Sequence, residues 1–364
     1  MAAETGGRTE AKVERLRRTR RLLREARSHL TKRALKLIGF VLFAYLLLQV
    51  IPGLEKALKD LQNVELTWVL AAMAVETLST CGYVVSWRKI LDPDDLLRQS
   101  DRGKHLGARV AWAQLGGGLI IPGGTLGSIG VGSWMLHRLG IPMDRVGERQ
   151  FTLMFLNSGV DGLAIVFFGT GLAIGLFSGE SNLALTLLPA GVAATGLVLA
   201  LVAARWTKQL ANRIEPSRPK IATGVRALAL AVNNTKSMLR HRGSTKIVLG
   251  AIAYLGFDIA VLQGAFIAID AHPVPGFAVV SMSYLVGGLA GSIPLPANLG
   301  AVTGMAGMLI VYGVGRNDAI AAVVLYQAIG FLVPLLGGAI AYLFLRRQFE
   351  AIEDDTVGAT ASVS

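Results

Sequence analysis

Three carboxyl groups lie inside otherwise apolar segments of the chain, at Glu76, Asp161 and Asp258. Burying a charge in hydrocarbon is costly, so ionisable residues within membrane segments usually face a polar interior and serve ion or proton movement. Asp161 or Asp258 is therefore a candidate proton-coupling carboxylate, and Glu76 is a further candidate for an intramembrane functional role; the alternative for each is a neutral, hydrogen-bonded packing residue or a group near the interface. Asn157 lies four residues before Asp161, on the same helix face. The uncharged polar residues in comparable segments are Gln114, Asn157, Gln263, Asn298 and Gln327.

The composition defines the class of protein that holds these carboxyl groups. Of 364 residues, 52% are hydrophobic and only 16% are charged, and the mean hydropathy is +0.53. These values exclude an ordinary soluble domain and predict an all-α polytopic membrane protein. The single cysteine excludes an intrachain disulfide, and the five histidines have no metal-binding spacing. The sequence thus predicts no metal site, no cofactor and no catalytic constellation, so we do not expect an enzyme.

Apolar runs of about 20 residues are long enough to cross the membrane as helices. Two further apolar segments, 108–135 and 277–313, are broken in the middle, and each half is too short to cross. We therefore expect six transmembrane helices and two re-entrant helix pairs. The predicted transmembrane helices are 34–51, 67–87, 150–177, 183–204, 246–269 and 319–345.

The two breaks contain helix-stopping residues in similar patterns. A shift of 173 positions superposes Gly118 on Gly291, Leu126-Gly127 on Leu299-Gly300, and Gly140 on Gly313. Paired interruptions of this kind are the best sequence indication of a transporter's binding region. The alternative is that glycine and proline are simply common in packed membrane helices. The candidate substrate-binding residues at the breaks are Pro122, Gly123, Gly124, Gly127, Pro294, Pro296, Asn298 and Gly300.

The basic residues indicate how the chain is oriented. With both broken segments re-entrant, all lysines and arginines except Lys56, Lys59 and Arg316 fall on one side, which the positive-inside rule assigns to the cytoplasm. Both termini are then cytoplasmic. Residues 34–177 (repeat 1) and 183–347 (repeat 2) have the same order of elements in opposite orientations. This inverted repeat would bring the tips of the re-entrant pairs together near the midplane, where helix N-termini suit an anionic group.

The polar regions outside the spans give further expectations. Residues 1–33 read as a basic amphipathic helix on anionic lipids, although a coiled coil is an alternative and nucleic-acid binding is disfavoured. An interfacial helix is expected in the cytoplasmic linker 205–246, and a disordered tail over 348–364. Arg109 and Arg149 flank the first broken segment and are candidates for holding a lipid headgroup, together with His137, Arg138 and Arg145. Their alternative role is to set the topology as flanking charges.

Several of these segments carry a resemblance to a known family. The sequences Ile121–Gly127 and Ile293–Gly300, and the closing stretch from Gly313 to Arg347, resemble the lysylphosphatidylglycerol synthase transmembrane-region family. The resemblance covers about residues 34–347 and implies a flippase-like protein that moves lipids or lipid-linked intermediates between leaflets.

The chain also departs from the family pattern. The family usually has an acidic residue soon after each glycine break and an arginine after the tyrosine of the last span. Here the helices after the breaks lack a carboxylate, and Gln327 follows Tyr326. The substrate is therefore not carried over. The best-known members attach a soluble aminoacyl-transferase domain, whereas this chain ends 17 residues beyond Arg347. Transfer of lysine to a lipid is accordingly not expected.

Together these features predict a flippase of the inner or plasma membrane. Its substrate would be an anionic phospholipid or a polyprenyl-phosphate-linked (glyco)lipid, moved by alternating access. The alternatives are a membrane-embedded lipid-modifying enzyme and a scaffold for cell-envelope synthesis enzymes bound through the basic tail. The expected partners are membrane lipids and, in the scaffold alternative, those enzymes.

Overall fold

The computed structural model describes residues 65–92, 97, 105–120, 125–179, 182–214, 219–240, 244–292 and 299–361. The predicted tail, the first predicted transmembrane helix and the centres of both breaks, 121–124 and 293–298, lie outside the described residues.

The described residues form ten α-helices and contain no strand. A four-residue 3₁₀ turn, Leu289–Ser292, follows the eighth helix. The helices are α1 (Leu66–Leu91), α2 (Leu106–Ile120), α3 (Thr125–Arg138), α4 (Met143–Ala173), α5 (Leu183–Ile214), α6 (Pro219–Leu239), α7 (Ser244–Ala268), α8 (Phe277–Gly288), α9 (Leu299–Val311) and α10 (Arg316–Ala361).

Five described helices are long and apolar enough to cross a membrane, and they confirm five of the predicted transmembrane helices. Such runs fold as helices in lipid because a helix satisfies its own backbone N–H and C=O groups. The helices extend beyond the predicted limits in several places, since helix formation continues past the apolar run. The apolar spans are Leu66–Leu91, Arg145–Ala173, Leu183–Val202, Ser244–Ala268 and Arg316–Arg346.

Each broken segment forms two short helices that pack side by side and antiparallel. In the first hairpin, α2–α3, the Ser128 hydroxyl donates to the Gln114 carbonyl at 3.1 Å. In the second, α8–α9, the backbones of Gly287 and Gly304 are in direct contact. The structure thus has a short helix on each side of both predicted breaks.

The two hairpins also match residue by residue. The contact of Gln114 with Gly132 in the first corresponds, 173 positions later, to that of Gly287 with Met305 in the second. Each hairpin ends at a glycine in the left-handed region, with φ of +89° at Gly140 and +86° at Gly313. Their helix-ending hydrogen bonds also correspond, from Ile141 N–H to Leu136 C=O and from Val314 N–H to Leu309 C=O, at 3.1 and 3.0 Å. The sequence repeat is thus a repeat of backbone structure.

Helices α1 and α7 cross antiparallel at two glycines and have the most extensive packing between any two described helices. A Cβ atom at Gly82 would lie 2.8 Å from the Gly250 carbonyl oxygen, so only glycine allows this approach. Hydrogen bonds flank the crossing on both sides. Ser79 Oγ donates to Tyr254 C=O at 2.8 Å, and Ser86 Oγ donates to Ile247 C=O at 2.9 Å.

The remaining helices surround this pair. Helix α10 packs antiparallel to α2, with the backbones of Gly116 and Gly338 in contact, and α4 packs against α5, α6 and α8. Helix α6 lies within the predicted linker 205–246. Helix α10 continues through 348–361, where the sequence predicts a disordered tail. This stretch differs from the expectation because its alanine and glutamate residues favour continuation of a helix already nucleated by the span.

A buried apolar cluster lies at one end of the bundle. It joins the C-terminal half of α1 to the first turns of α2 and α4, the last turns of α3 and the end of the α10 span. Trp87, Val110 and Leu345 in this cluster are completely buried. The end of the bundle predicted to be cytoplasmic is therefore closely packed in the described part of the chain.

Candidate functional site

Asp258 on α7 lies at the centre of a buried polar cluster. Tyr284 on α8 donates its hydroxyl to Asp258 Oδ2 at 2.5 Å, and Tyr326 on α10 donates to Oδ1 at 3.0 Å. The two tyrosine rings contact each other edge to face, with 5.9 Å between centroids. Both carboxylate oxygens thus have a hydroxyl donor, and the donors hold each other in place.

The other two carboxyl groups approach the same place. Glu76 on α1 is only 4% exposed, and its carboxyl group interacts electrostatically with Asp258. Asp161 on α4 also interacts with Asp258 and is half-buried. Tyr254 on α7 lies within electrostatic range of all three carboxyl groups. We call Glu76, Asp161, Tyr254, Asp258, Tyr284 and Tyr326 the acidic cluster.

The acidic cluster is assembled from both repeats. Repeat 1 supplies Glu76 and Asp161, whereas repeat 2 supplies Asp258 and the three tyrosines. The α1–α7 crossing brings Glu76 towards Asp258, and α4, α8 and α10 enclose them. Because the cluster combines side chains from both halves, any movement of one repeat against the other would change its geometry.

A second buried network lies beside it, on repeat 1. Trp87 Nε1 donates to Gln114 Oε1 at 2.8 Å, which fixes the amide orientation because indole N–H is only a donor. Gln114 Nε2 can then donate to Tyr83 Oη at 3.1 Å and to Gln150 Oε1 at 3.1 Å. Gln150 Nε2 donates back to Gln114 Oε1 at 2.9 Å. These four residues, the glutamine network, connect the first hairpin to α1 and α4.

The glutamine network and the acidic cluster touch at the α1–α7 crossing. The rings of Tyr83 and Tyr254 lie 5.4 Å apart between centroids, next to the two crossing glycines. A contact between two tyrosine rings therefore joins the glutamine network of the first hairpin to the cluster that includes the second hairpin and α10. In a span-rich protein such a polar interior is typical of a transport route or a coupling site.

The predicted substrate-binding residues at the breaks are only partly described. Gly127 is half-buried in the first turn of α3. Gly300, in α9, lies directly against the backbone of Ala290, where any side chain would clash. Asn157 and Gln327 are half-buried on α4 and α10, and Gln327 directly follows Tyr326 of the acidic cluster. The residues that lie outside the described part are Pro122, Gly123, Gly124, Pro294, Pro296 and Asn298.

The two candidate headgroup arginines lie at the predicted cytoplasmic end. Arg149 Nη1 donates to the Leu91 carbonyl at 2.8 Å, at the C-terminal end of α1. The Arg109 guanidinium lies 5.1 Å from the centre of the Phe344 ring. Each contact fixes an arginine side chain between two helices, so both contribute to packing as well as charge.

Sequence reasoning missed the tyrosines of the acidic cluster. A tyrosine in an apolar segment is ordinarily an interfacial anchor, so the sequence alone does not distinguish Tyr254, Tyr284 and Tyr326 from such anchors. The sequence did contain one signal for these tyrosines. Three carboxyl groups in apolar helices need hydrogen-bond donors, and tyrosine hydroxyls can supply them. Tyr284 also lies in the helix that leads into the second break.

In the part of the chain that the structure describes, no group of three or more histidine, cysteine, aspartate or glutamate side chains is arranged to hold a metal ion. What the arrangement can do is hold or exchange a proton between carboxyl and hydroxyl groups, or offer acceptors to a small cation.

Five apolar helices long enough to span a membrane, with polar side chains buried between them, define a multi-pass membrane protein. The chain belongs to the family described as the lysylphosphatidylglycerol synthase TM region, which it matches over residues 16–338. This membership indicates a lipid-related membrane function and confirms the resemblance of the breaks and the closing span. No curated protein matches the chain.

Proposed function

We propose that this protein moves an amphiphilic lipid between the membrane leaflets by alternating access. The observation that carries the proposal is the acidic cluster, in which side chains from both repeats meet among spanning helices. A merely structural membrane bundle gains little from three buried carboxyl groups, because each is expensive to keep in an apolar surrounding. In a transporter, by contrast, such groups can gain or lose a proton or a hydrogen bond when the two halves rearrange.

The arrangement of the helices supports an inverted repeat. The hairpins match in their contacts and in the glycines that end them, and α1 crosses α7 antiparallel, as two halves of opposite orientation require. In the orientation that the basic residues favour, the chain lies in the inner or plasma membrane with both termini cytoplasmic. The hairpins then enter from opposite faces.

The proposed substrate is an anionic phospholipid or a polyprenyl-phosphate-linked (glyco)lipid. Support comes from the N-terminus of α3, which follows the first break and can receive an anionic headgroup. Arg109 and Arg149 lie at the predicted cytoplasmic end, where they would attract the phosphate as a lipid enters from that leaflet. The acidic cluster lies deeper and would sense the movement of the repeats rather than bind the phosphate.

The test is leaflet-resolved transport in proteoliposomes containing labelled phospholipids or polyprenyl-phosphate lipids. Wild type should move a lipid faster than empty liposomes. Asp258→Asn should reduce the rate, because it replaces one of the two carboxyl oxygens that the tyrosine hydroxyls bind. The matched control is Asp270→Asn, in an exposed turn, whose wild-type side chain is 93% accessible and whose φ of +57° asparagine also tolerates.

Asp270→Asn should leave the rate at the wild-type value. If folded wild type moves none of these lipids, the proposal is wrong and a lipid-modifying enzyme or a scaffold becomes the better hypothesis. Equal loss in both variants would show that the rate reports general stability rather than the acidic cluster.

A further inference from the structure

The carboxyl groups of the acidic cluster differ in how completely they are hydrogen-bonded. Both oxygens of Asp258 accept a hydroxyl, and hydrogen bonds to an ionised acceptor are stronger than bonds between neutral groups. Glu76 is buried to nearly the same extent, yet its Oε2 has no hydrogen-bond partner. Two carboxyl groups of similar burial therefore have opposite surroundings.

The groups facing Glu76 make its ionised form unfavourable. A buried carboxylate oxygen without a donor loses its hydration without compensation. The titratable groups within electrostatic range of Glu76 are Asp258 and Tyr254 on α7 and Tyr326 on α10. Asp258 is the charged neighbour, and two like charges sharing a buried site repel each other. A proton on Glu76 would relieve both penalties.

We propose that Glu76 is the proton-exchanging group of this transporter, whereas Asp258 remains ionised and bound by its two tyrosines. In the exchange step the O–H bond of Glu76 breaks and the proton passes to a water molecule admitted when the repeats rearrange. That water leaves as hydronium, and further water molecules admitted with it donate hydrogen bonds to the new carboxylate. That the proton exchange serves lipid transport rests on the proposed function. That Glu76 rather than Asp258 holds the proton does not depend on it.

The first test reads the proton itself by infrared difference spectroscopy on the purified full-length protein. A protonated carboxyl group has a C=O band, separate from carboxylate bands, that shifts in D₂O. Wild type should show such a band that titrates with pH. The band should be lost in Glu76→Gln and retained in Asp258→Asn. The reverse result, loss in Asp258→Asn and retention in Glu76→Gln, would overturn the assignment.

A conservative variant covers the case in which Glu76→Gln does not fold. Glu76→Asp keeps a carboxyl group on a shorter stem, so the band should remain but titrate at a different pH. An unchanged titration in folded Glu76→Asp would contradict the proposal, because the group that titrates would then lie elsewhere.

The second test measures coupling in proteoliposomes. With a pH gradient, wild type should move lipid faster than without one. In Glu76→Gln any movement that remains should be no faster with the gradient than without it. If a sodium gradient instead of a pH gradient drives wild type, Glu76 is not a proton carrier. If no lipid moves but the infrared band is lost in Glu76→Gln, only the transport function fails.

Discussion

The close backbone approach between the two repeats at the α1–α7 crossing predicts that Gly250 tolerates no side chain. A Cβ atom there would lie 2.5 Å from Ser86 Oγ, 2.8 Å from the Gly82 carbonyl oxygen and 3.1 Å from the Ser86 backbone nitrogen. Two of these neighbours are backbone atoms of a spanning helix and cannot turn aside. In Gly250→Ala the helices must therefore move apart.

The expected loss of stability follows from these contacts. Overpacking a tight contact costs about 1–3 kcal/mol. Separation also strains the flanking hydrogen bonds from Ser79 and Ser86, and such bonds between membrane helices are worth roughly 0.6 kcal/mol each. We expect Gly250→Ala to lower the thermal unfolding midpoint of the detergent-solubilised protein by roughly 5 °C or more. Because Glu76 and Asp258 lie on the two helices that move apart, the Gly250→Ala protein should also lose transport activity.

The control for this substitution lies on the same helix. A Cβ atom at Gly256 would meet nothing within 4 Å. Gly256→Ala makes the same chemical change and should be neutral or slightly stabilising, because alanine is the better helix former. Equal midpoints for Gly250→Ala and Gly256→Ala would refute the argument that this crossing depends on close backbone contact.

Three further predictions concern the hairpins, the glutamine network and the topology. Gly304→Ala should destabilise the second hairpin and slow transport, because the new Cβ would collide with the Gly287 backbone. In the same assays Gly307→Ala should behave as wild type, because its new Cβ would meet nothing within 4 Å. Trp87→Phe should lower the stability by about 1–2 kcal/mol, measured by unfolding, since it removes a buried N–H donor and leaves its acceptor with one bond fewer. In a cysteine-free background, exposed cysteines placed at His137 and His272 should react with impermeant maleimides from opposite sides of the membrane, and labelling from one side only would contradict the inverted topology.

The sequence was sufficient for the five described spans and for the short helices on each side of the two breaks. Hydrophobic length determines which segments can span, and glycine and proline determine where a helix stops, so both properties are local. The glycines at 140 and 313 were matched by sequence alone, and the structure shows that both adopt the left-handed conformation. Local signals of this kind do not depend on how the helices pack.

The candidate site was predictable only in part, because it depends on packing. Three carboxyl groups in apolar segments were evident as unusual, but nothing in their spacing shows that Glu76 approaches Asp258. That proximity follows from the register of the α1–α7 crossing, which is set by Gly82 and Gly250, two among 43 glycines. The donors Tyr284 and Tyr326 come from two other helices, so their role emerges only when all three are placed together.

The two hairpins share the backbone features that a membrane environment requires, and they differ in the side chains that form the site. Both conserve the close antiparallel contact and the ending glycine, since short helices in a bilayer must satisfy and cover their backbone. At equivalent positions, however, the first hairpin has Gln114 and the second has Gly287. The first is therefore held to α1 and α4 by directional hydrogen bonds, whereas the second relies on backbone contact and contributes Tyr284 to Asp258. Because the shared backbone leaves these side chains free to differ, the chemistry of the site lies where the repeats diverge.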